Sequence, residues 1–90
     1  MDILERVLHQ YDLPEIKTHW TNQGVFQLQA EFVAGSICWE LYHGEKLVGT
    51  FLNPFQAAAD LSAGKLDQEI GFPTTGLRIP EDFWDWNDLE

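Results

Sequence analysis

The chain has 90 residues, of which 44% are apolar or aromatic, and its fifteen acids against five bases give a formal net charge of −10. This length fits one domain, so residues 1–90 are predicted to form a single domain. The charge disfavours direct binding to nucleic acid or to anionic membranes. The single cysteine excludes an internal disulfide. Because no stretch approaches the roughly 20 apolar residues that span a bilayer, and no signal sequence is visible, we expect a cytoplasmic protein without membrane contact.

A first helix of about three turns is predicted between the N-terminus and Leu13-Pro14. Asp2 and Glu5 have the spacing of a capping box, in which two side chains satisfy backbone N–H groups at a helix start. Proline disfavours helical backbone at the preceding residue, so the helix is expected to end before Leu13. The apolar residues recur at helical spacing: Ile3, Leu4, Val7, Leu8 and Tyr11.

From Glu15 the apolar period changes from 3.6 to 2, which is typical of strands. In the first strand, Ile16, Thr18 and Trp20 are expected on one face and Lys17, His19 and Thr21 on the other. A turn at 22–24 follows. In the second strand, Phe26, Leu28, Ala30 and Phe32 alternate with Gln27, Gln29 and Glu31. This alternation indicates a strand with one buried and one solvated face, as in antiparallel sheets.

Two further strands are predicted after a turn at 34–36. Ile37, Trp39 and Leu41 alternate with Cys38, Glu40 and Tyr42. A tight turn at 43–46 then leads into a strand over 47–52. Gly49 inside this strand predicts either a bulge or an aromatic side chain lying across the backbone.

Asn53-Pro54 has the composition of a helix start, and Gly64 that of a helix end. Phe55, Ala58, Ala59 and Leu61 are expected to form its apolar face. The predicted fold is therefore α+β: a four-stranded antiparallel meander with the N-terminal helix and this second helix packed on one face. A C-terminal loop, tied down by its apolar residues, and a short acidic helix complete it. The opposite sheet face would present Gln27, Gln29, Glu31, Glu40 and Tyr42.

No constellation of catalytic residues is evident. Cys38 is expected to be a buried, inert thiol, and His9, His19 and His43 lack the spacing of metal ligands. His19 and His43 lie near strand ends and could still meet in space. Phosphate-binding glycine motifs are missing from the sequence. We therefore expect a protein that is not an enzyme and binds no cofactor or metal. Carboxylate pairs for acid–base chemistry stay open in so acidic a chain, although no particular pair stands out. A small-molecule-binding or catalytic cleft between sheet and helix, with Trp39, Tyr42 and a histidine, is a third possibility.

The sharpest feature is the stretch from Glu81 to Glu90. Five acids alternate there with aromatic and apolar residues, and no base is interspersed. Phe83, Trp86 and Leu89 would share one face of a short helix that begins at Pro80. The tryptophans either close the core or dock on a partner, or one does each. The candidate partner-binding residues are Glu81, Asp82, Trp84, Asp85, Trp86 and Asp88.

Two functions follow from these patterns. The leading hypothesis is an acidic protein that binds and inhibits a basic macromolecular partner, as immunity proteins, antitoxins or mimics of nucleic acid do, because carboxylates on a rigid scaffold can imitate phosphates. The alternative is a small regulatory or accessory subunit that binds a protein partner through the second sheet face or an edge strand. In that case the acidity would serve only solubility.

Overall fold

The computed structural model describes residues 3–10 and 13–88. The helix cap predicted at Asp2, and the predictions for Tyr11 and Leu89, lie outside these ranges. In chain order the elements are helix α1 (Ile3–Gln10), strands β1 (Ile16–Thr21), β2 (Gly24–Val33), β3 (Ser36–His43) and β4 (Lys46–Phe51), helices α2 (Pro54–Ser62) and α3 (Asp67–Ile70), a 3₁₀ helix (Phe83–Asp85) and strand β5 (Asn87–Asp88). The domain is a small α+β structure, as predicted.

The strands form one antiparallel sheet in the order β4-β3-β2-β1-β5. The meander of β1 to β4 is confirmed, but the sheet has a fifth strand that the sequence did not predict. A bulge shifts the register between β3 and β4, where Leu41 pairs with Gly49 and Tyr42 with Leu47. A Cβ on Gly49 would lie 3.2 Å from the Phe51 ring. Both interpretations of Gly49 are therefore correct, since it stands at a bulge and beneath an aromatic ring.

The core lies on one face of the sheet, between the strands and the two longer helices. Phe26, Leu28 and Leu41 are fully buried there. Leu8 of α1 and the residues Ala57, Ala58 and Leu61 of α2 belong to the same cluster. Helices α1 and α2 therefore both contribute side chains to the core on this face of the sheet. Within the described residues helix α1 spans eight residues, Ile3–Gln10, and the backbone N–H of Leu13 donates to the carbonyl of Leu8 at 2.9 Å.

Strand β1 directs Lys17 and His19, and not Trp20, to the core side of the sheet. Lys17 pairs with Leu28 and His19 with Phe26, so both project to the core side of the sheet. Trp20 pairs with Val25, lies on the opposite face and is 71% exposed. The reason is the turn, which contains two residues and pairs Thr21 with Gly24. Because side chains alternate along a strand, a turn shorter by one residue exchanges the two faces.

Helix α2 begins and ends as predicted, with a different buried face. The Asn53 side chain accepts a hydrogen bond from the backbone N–H of Gln56 at 2.7 Å, and Pro54 follows as the first helical residue. Gly64 adopts a left-handed backbone beyond the last turn. The buried side is formed by Pro54, Ala57, Ala58 and Leu61. Phe55 and Ala59, predicted to be buried, are exposed. The difference leaves the Phe55 ring available at the surface.

The segment after α2 contains the short helix α3, which was not predicted. Thr74 fixes the following loop against it: its backbone N–H donates to Asp67 at 3.0 Å, and its buried hydroxyl lies 2.8 Å from the same carboxylate oxygen. Ile70 and Ile79 are buried, so the loop is anchored by apolar residues as expected. Among the described residues, no helix is long and apolar enough to cross a membrane.

Candidate functional site

The C-terminal segment, residues 81–88, does not form the predicted acidic helix. The Asp82 carboxylate accepts a hydrogen bond from the backbone N–H of Trp84 at 3.0 Å and caps a single 3₁₀ turn. The backbone is extended again at Trp86 (φ −75°, ψ 158°). Asn87 and Asp88 then pair with Thr18 and Lys17 at the edge of β1. Pairing with an unfilled sheet edge satisfies backbone groups that a continuing helix would have bonded internally.

The two tryptophans of this segment have different environments. Trp86 is 2% exposed, and its indole N–H donates to the carbonyl of Pro80 at 3.0 Å. Trp84 is 48% exposed. Phe83 and Trp86, which are three residues apart, were expected to share one face of a helix. Both lie in the core, at the two ends of a single 3₁₀ turn. One tryptophan therefore faces inward and one outward, which leaves Trp84 as the residue of the pair that a partner could reach.

The side chain of Lys17, on β1, fixes the C-terminal segment to the sheet. It is 6% exposed, and its ammonium group donates to the carbonyl of Trp86 at 3.0 Å. The carbonyl of Trp84 lies 3.5 Å away and the Asp88 carboxylate 3.3 Å away. A lysine has three donors, and these three acceptors match them. The absence of a neighbouring base in the sequence was misleading, because β1 supplies one from a distance of about 70 positions.

An aromatic surface lies next to this ammonium group. The Trp84 ring is 6.1 Å from the ring of Phe55 on α2, and both are 5.8 Å from the buried ring of Phe83. Phe55 is 41% exposed. Lys17 Nζ lies 5.6 Å from the ring centroids of both Phe83 and Trp84, which is within the range of a cation–π contact. We call Phe55 and Trp84 together the aromatic pair.

The four acids of the C-terminal segment are exposed, but only two of their side chains form hydrogen bonds or ion pairs within it or with β1. Asp82 caps the 3₁₀ turn and Asp88 pairs with Lys17. Glu81 and Asp85 make no side-chain hydrogen bond or ion pair within residues 3–10 and 13–88. Two of the four predicted acids therefore serve the structure of the segment, and the other two have no such role among the described residues.

A cleft of about 440 Å³ separates α1 from the C-terminal segment. It is lined by His9, Leu13, Pro14, Lys17, Trp84 and Asp88. The ammonium group of Lys17 donates to the carbonyl of Trp86 and pairs with Asp88, so a ligand in this cleft would compete with these protein acceptors for it. Trp84 therefore borders both this cleft and the Phe55 ring.

The second sheet face, which we call the outer face, is polar at its centre. The Gln27 amide donates to Gln29 at 3.0 Å, and Gln29 donates in turn to Glu31. Desolvation, the negative charges of Glu40 and Glu31 and a hydrogen bond to Glu40 together raise the pKa of Tyr42 above its ordinary value. All five residues predicted for this face lie on it and are half-buried.

Two arrangements that the sequence left open, the cleft with Trp39 and Tyr42 and the pairing of His19 with His43, do not form. Trp39 is buried in the core, whereas Tyr42 lies on the outer face, so the two cannot share a cleft. Phe26 pairs with both His19 and His43 and therefore lies between them. Within the described part of the chain, no three His, Cys, Asp or Glu side chains are grouped to hold a metal ion.

Cys38 also differs from its prediction. It lies on the outer face opposite Glu31 and is half-buried, not fully buried.

Sequence reasoning missed two residues of the site, Lys17 and Phe55. The number of residues in the β1–β2 turn decides which side chains of β1 face the core. A two-residue turn would have identified Lys17 as one of them. Phe55 comes into the site because Pro54, beside it in the first turn of α2, takes the buried position.

Comparison of the chain with protein-family models, with curated proteins and with solved structures gives no match. The function must therefore be inferred from the site itself.

Proposed function

We propose that this protein is a non-catalytic cytoplasmic binding protein whose C-terminal segment captures and inhibits a basic macromolecular partner. The observation that carries the proposal is the aromatic pair: the exposed Trp84 ring lies on a segment that is fixed to the domain and carries the exposed acids Glu81 and Asp85, and the exposed Phe55 ring of α2 lies beside it. Aromatic anchors surrounded by polar groups are the usual centre of a protein interface. The partner class is a basic protein, such as a toxin, a nuclease or a DNA-binding protein, and not nucleic acid.

The charge of the protein supports the same class of partner. The formal net charge is −10, and a basic partner would be attracted over a distance set by the ionic strength, about 8 Å under physiological conditions. Attraction of this kind mainly accelerates association. The segment is also preorganised, because Lys17 and β1 fix its backbone. A partner would therefore not have to order a flexible tail, which lowers the cost of binding.

The experiment is affinity capture from the source cells, followed by purification of the captured protein and titration with defined variants. Asp85→Lys is the test variant, because the Asp85 side chain is exposed and has no side-chain hydrogen bond or ion pair within residues 3–10 and 13–88. Glu45→Lys, in the exposed turn between β3 and β4, is the matched control with the same change of net charge. Asp88→Lys is a poor choice, since it would place a second cation beside Lys17.

We expect a basic partner whose association rate falls steeply as salt is added, and whose binding is weakened by Asp85→Lys but not by Glu45→Lys. Equal effects of the two variants would show that only net charge matters and would contradict a defined site. An association rate that does not change with salt concentration would contradict the proposal that charge attraction brings the partner to the site.

An accessory subunit that binds through the outer face is the competing proposal. The specific observation in its favour is that two large apolar side chains of the outer face are exposed, Trp20 (71%) and Leu47 (48%). Substitution of Gln29 or Tyr42 by alanine would then weaken binding more than Asp85→Lys does. The same titration therefore separates the two proposals.

A further inference from the structure

The aromatic pair has a geometry that selects among basic partners. The Phe55 and Trp84 rings are tilted by 52° with 6.1 Å between their centroids. Both rest against Phe83, which is fully buried. The two rings come from different elements, α2 and the 3₁₀ helix, and are held by a common core residue. They therefore form a fixed surface and not two independent mobile side chains.

The electrostatics of this surface favour a cation over a neutral or anionic group. The face of an aromatic ring carries negative charge density. The inner side of the pair already has a cation, since Lys17 Nζ lies 5.6 Å from the Trp84 centroid. That ammonium group is buried and its ion pair is with Asp88 at 3.3 Å. The exposed carboxylates of Glu81 and Asp85 have no ion pair within residues 3–10 and 13–88, so the exposed part of the pair combines ring faces with negative charge.

We propose that the aromatic pair binds an arginine side chain of the partner, with the guanidinium group stacked on Trp84 and Phe55 and donating to Asp85 or Glu81. This inference rests on the proposed function and names the group that the site recognises. Arginine fits better than lysine for two physical reasons. Its guanidinium group is planar and weakly hydrated, so it stacks on aromatic rings at a low cost of desolvation. It also has five donors, which allows it to stack and to bond a carboxylate at the same time.

The test uses synthetic oligo-arginine and oligo-lysine peptides of equal length, titrated by calorimetry against the intact chain and its variants. Phe55→Ala and Trp84→Ala each remove one ring, and Asp85→Asn removes a charge. Trp20→Ala is the matched control, because Trp20 is an exposed tryptophan on the outer face of the sheet. Far-ultraviolet circular dichroism of each variant verifies the fold. Phe55→Ala also provides a second route to the answer if Trp84→Ala does not fold.

We expect the oligo-arginine peptide to bind the unaltered protein about two- to fivefold more tightly than the oligo-lysine peptide, which is the range of an exposed cation–π contact. Phe55→Ala and Trp84→Ala should abolish this preference while leaving the affinity for oligo-lysine unchanged. Trp20→Ala should keep the preference.

Two results would overturn the inference alone: equal affinity for both peptides, or a preference for arginine that survives in Trp84→Ala and Phe55→Ala. In either case Asp85→Asn would still weaken both peptides, and the proposed acidic site would stand. If Asp85→Asn changes the affinity for neither peptide, the proposed function fails as well.

Discussion

Replacing Lys17 by methionine tests the idea that one buried ammonium group fixes the C-terminal segment. Methionine keeps an unbranched side chain of similar length, so the packing against Phe83 and Trp84 is largely retained. The substitution removes the donors to the carbonyls of Trp86 and Trp84 and to the carboxylate of Asp88. These carbonyls then lie beside an apolar side chain that cannot bond them.

The expected loss can be worked out contact by contact. The 3.0 Å bond to the carbonyl of Trp86 is buried and involves a charged donor, so it contributes about 1.5–3 kcal/mol. The bond to the carbonyl of Trp84 is 3.5 Å long and adds little. The Asp88 side chain is 74% exposed, which limits that ion pair to about 0–1 kcal/mol. Because the native protein also bears the cost of burying the ammonium group, the net loss should be about 2 kcal/mol.

Denaturant unfolding followed by tryptophan fluorescence measures this loss. For a domain of this size, about 2 kcal/mol corresponds to a decrease in Tm of about 8–16 °C. Amide hydrogen exchange should show that Asn87 and Asp88 lose protection first, because their pairing with β1 depends on Lys17. Asp88→Asn is the control and should cost less than about 1 kcal/mol. A Lys17→Met protein as stable as the original, or more stable, would refute the reasoning. It would show that the free-energy cost of burying the ammonium group equals or exceeds the free energy that its contacts contribute.

Three further predictions concern other parts of the structure. Phe83→Ala removes a fully buried ring and should lower the free energy of unfolding by about 3–5 kcal/mol, measured by urea denaturation. Thr74→Val removes a buried hydroxyl that lies 2.8 Å from Asp67 Oδ1 and should cost about 1–3 kcal/mol in the same assay; a neutral result would contradict a role for that bond. The pKa of Tyr42 is raised by desolvation and by Glu40 and Glu31. The unfolded chain therefore loses this proton first, so stability should fall as the pH rises above about 10. Glu40→Gln should bring the ultraviolet ionisation of Tyr42 to lower pH.

The candidate site was only partly predictable from the sequence. The acidic and aromatic composition of residues 81–88 is visible without a structure, and so is the possibility that one tryptophan faces inward. The helix predicted there is wrong because local spacing cannot anticipate an open sheet edge: β1 offers backbone partners, and Asn87 and Asp88 take them. Phe55 joins the site because α2 buries Pro54 and leaves the adjacent ring outside.

By itself, the sequence determined the two helices and the four-stranded meander, because periodicity, caps and turn residues act over a few neighbouring positions. It also determined the core face of β2 at Phe26, Leu28 and Ala30, whereas Phe32, predicted on the same buried face, is 40% exposed near the end of the strand. The tertiary structure decided the orientation of β1. A three-residue turn at 22–24 would pair Trp20 with Phe26 and bury it, whereas the actual turn of two residues pairs Trp20 with Val25. That difference of one residue sends Lys17 under the C-terminal segment, since every side chain of a strand changes face together.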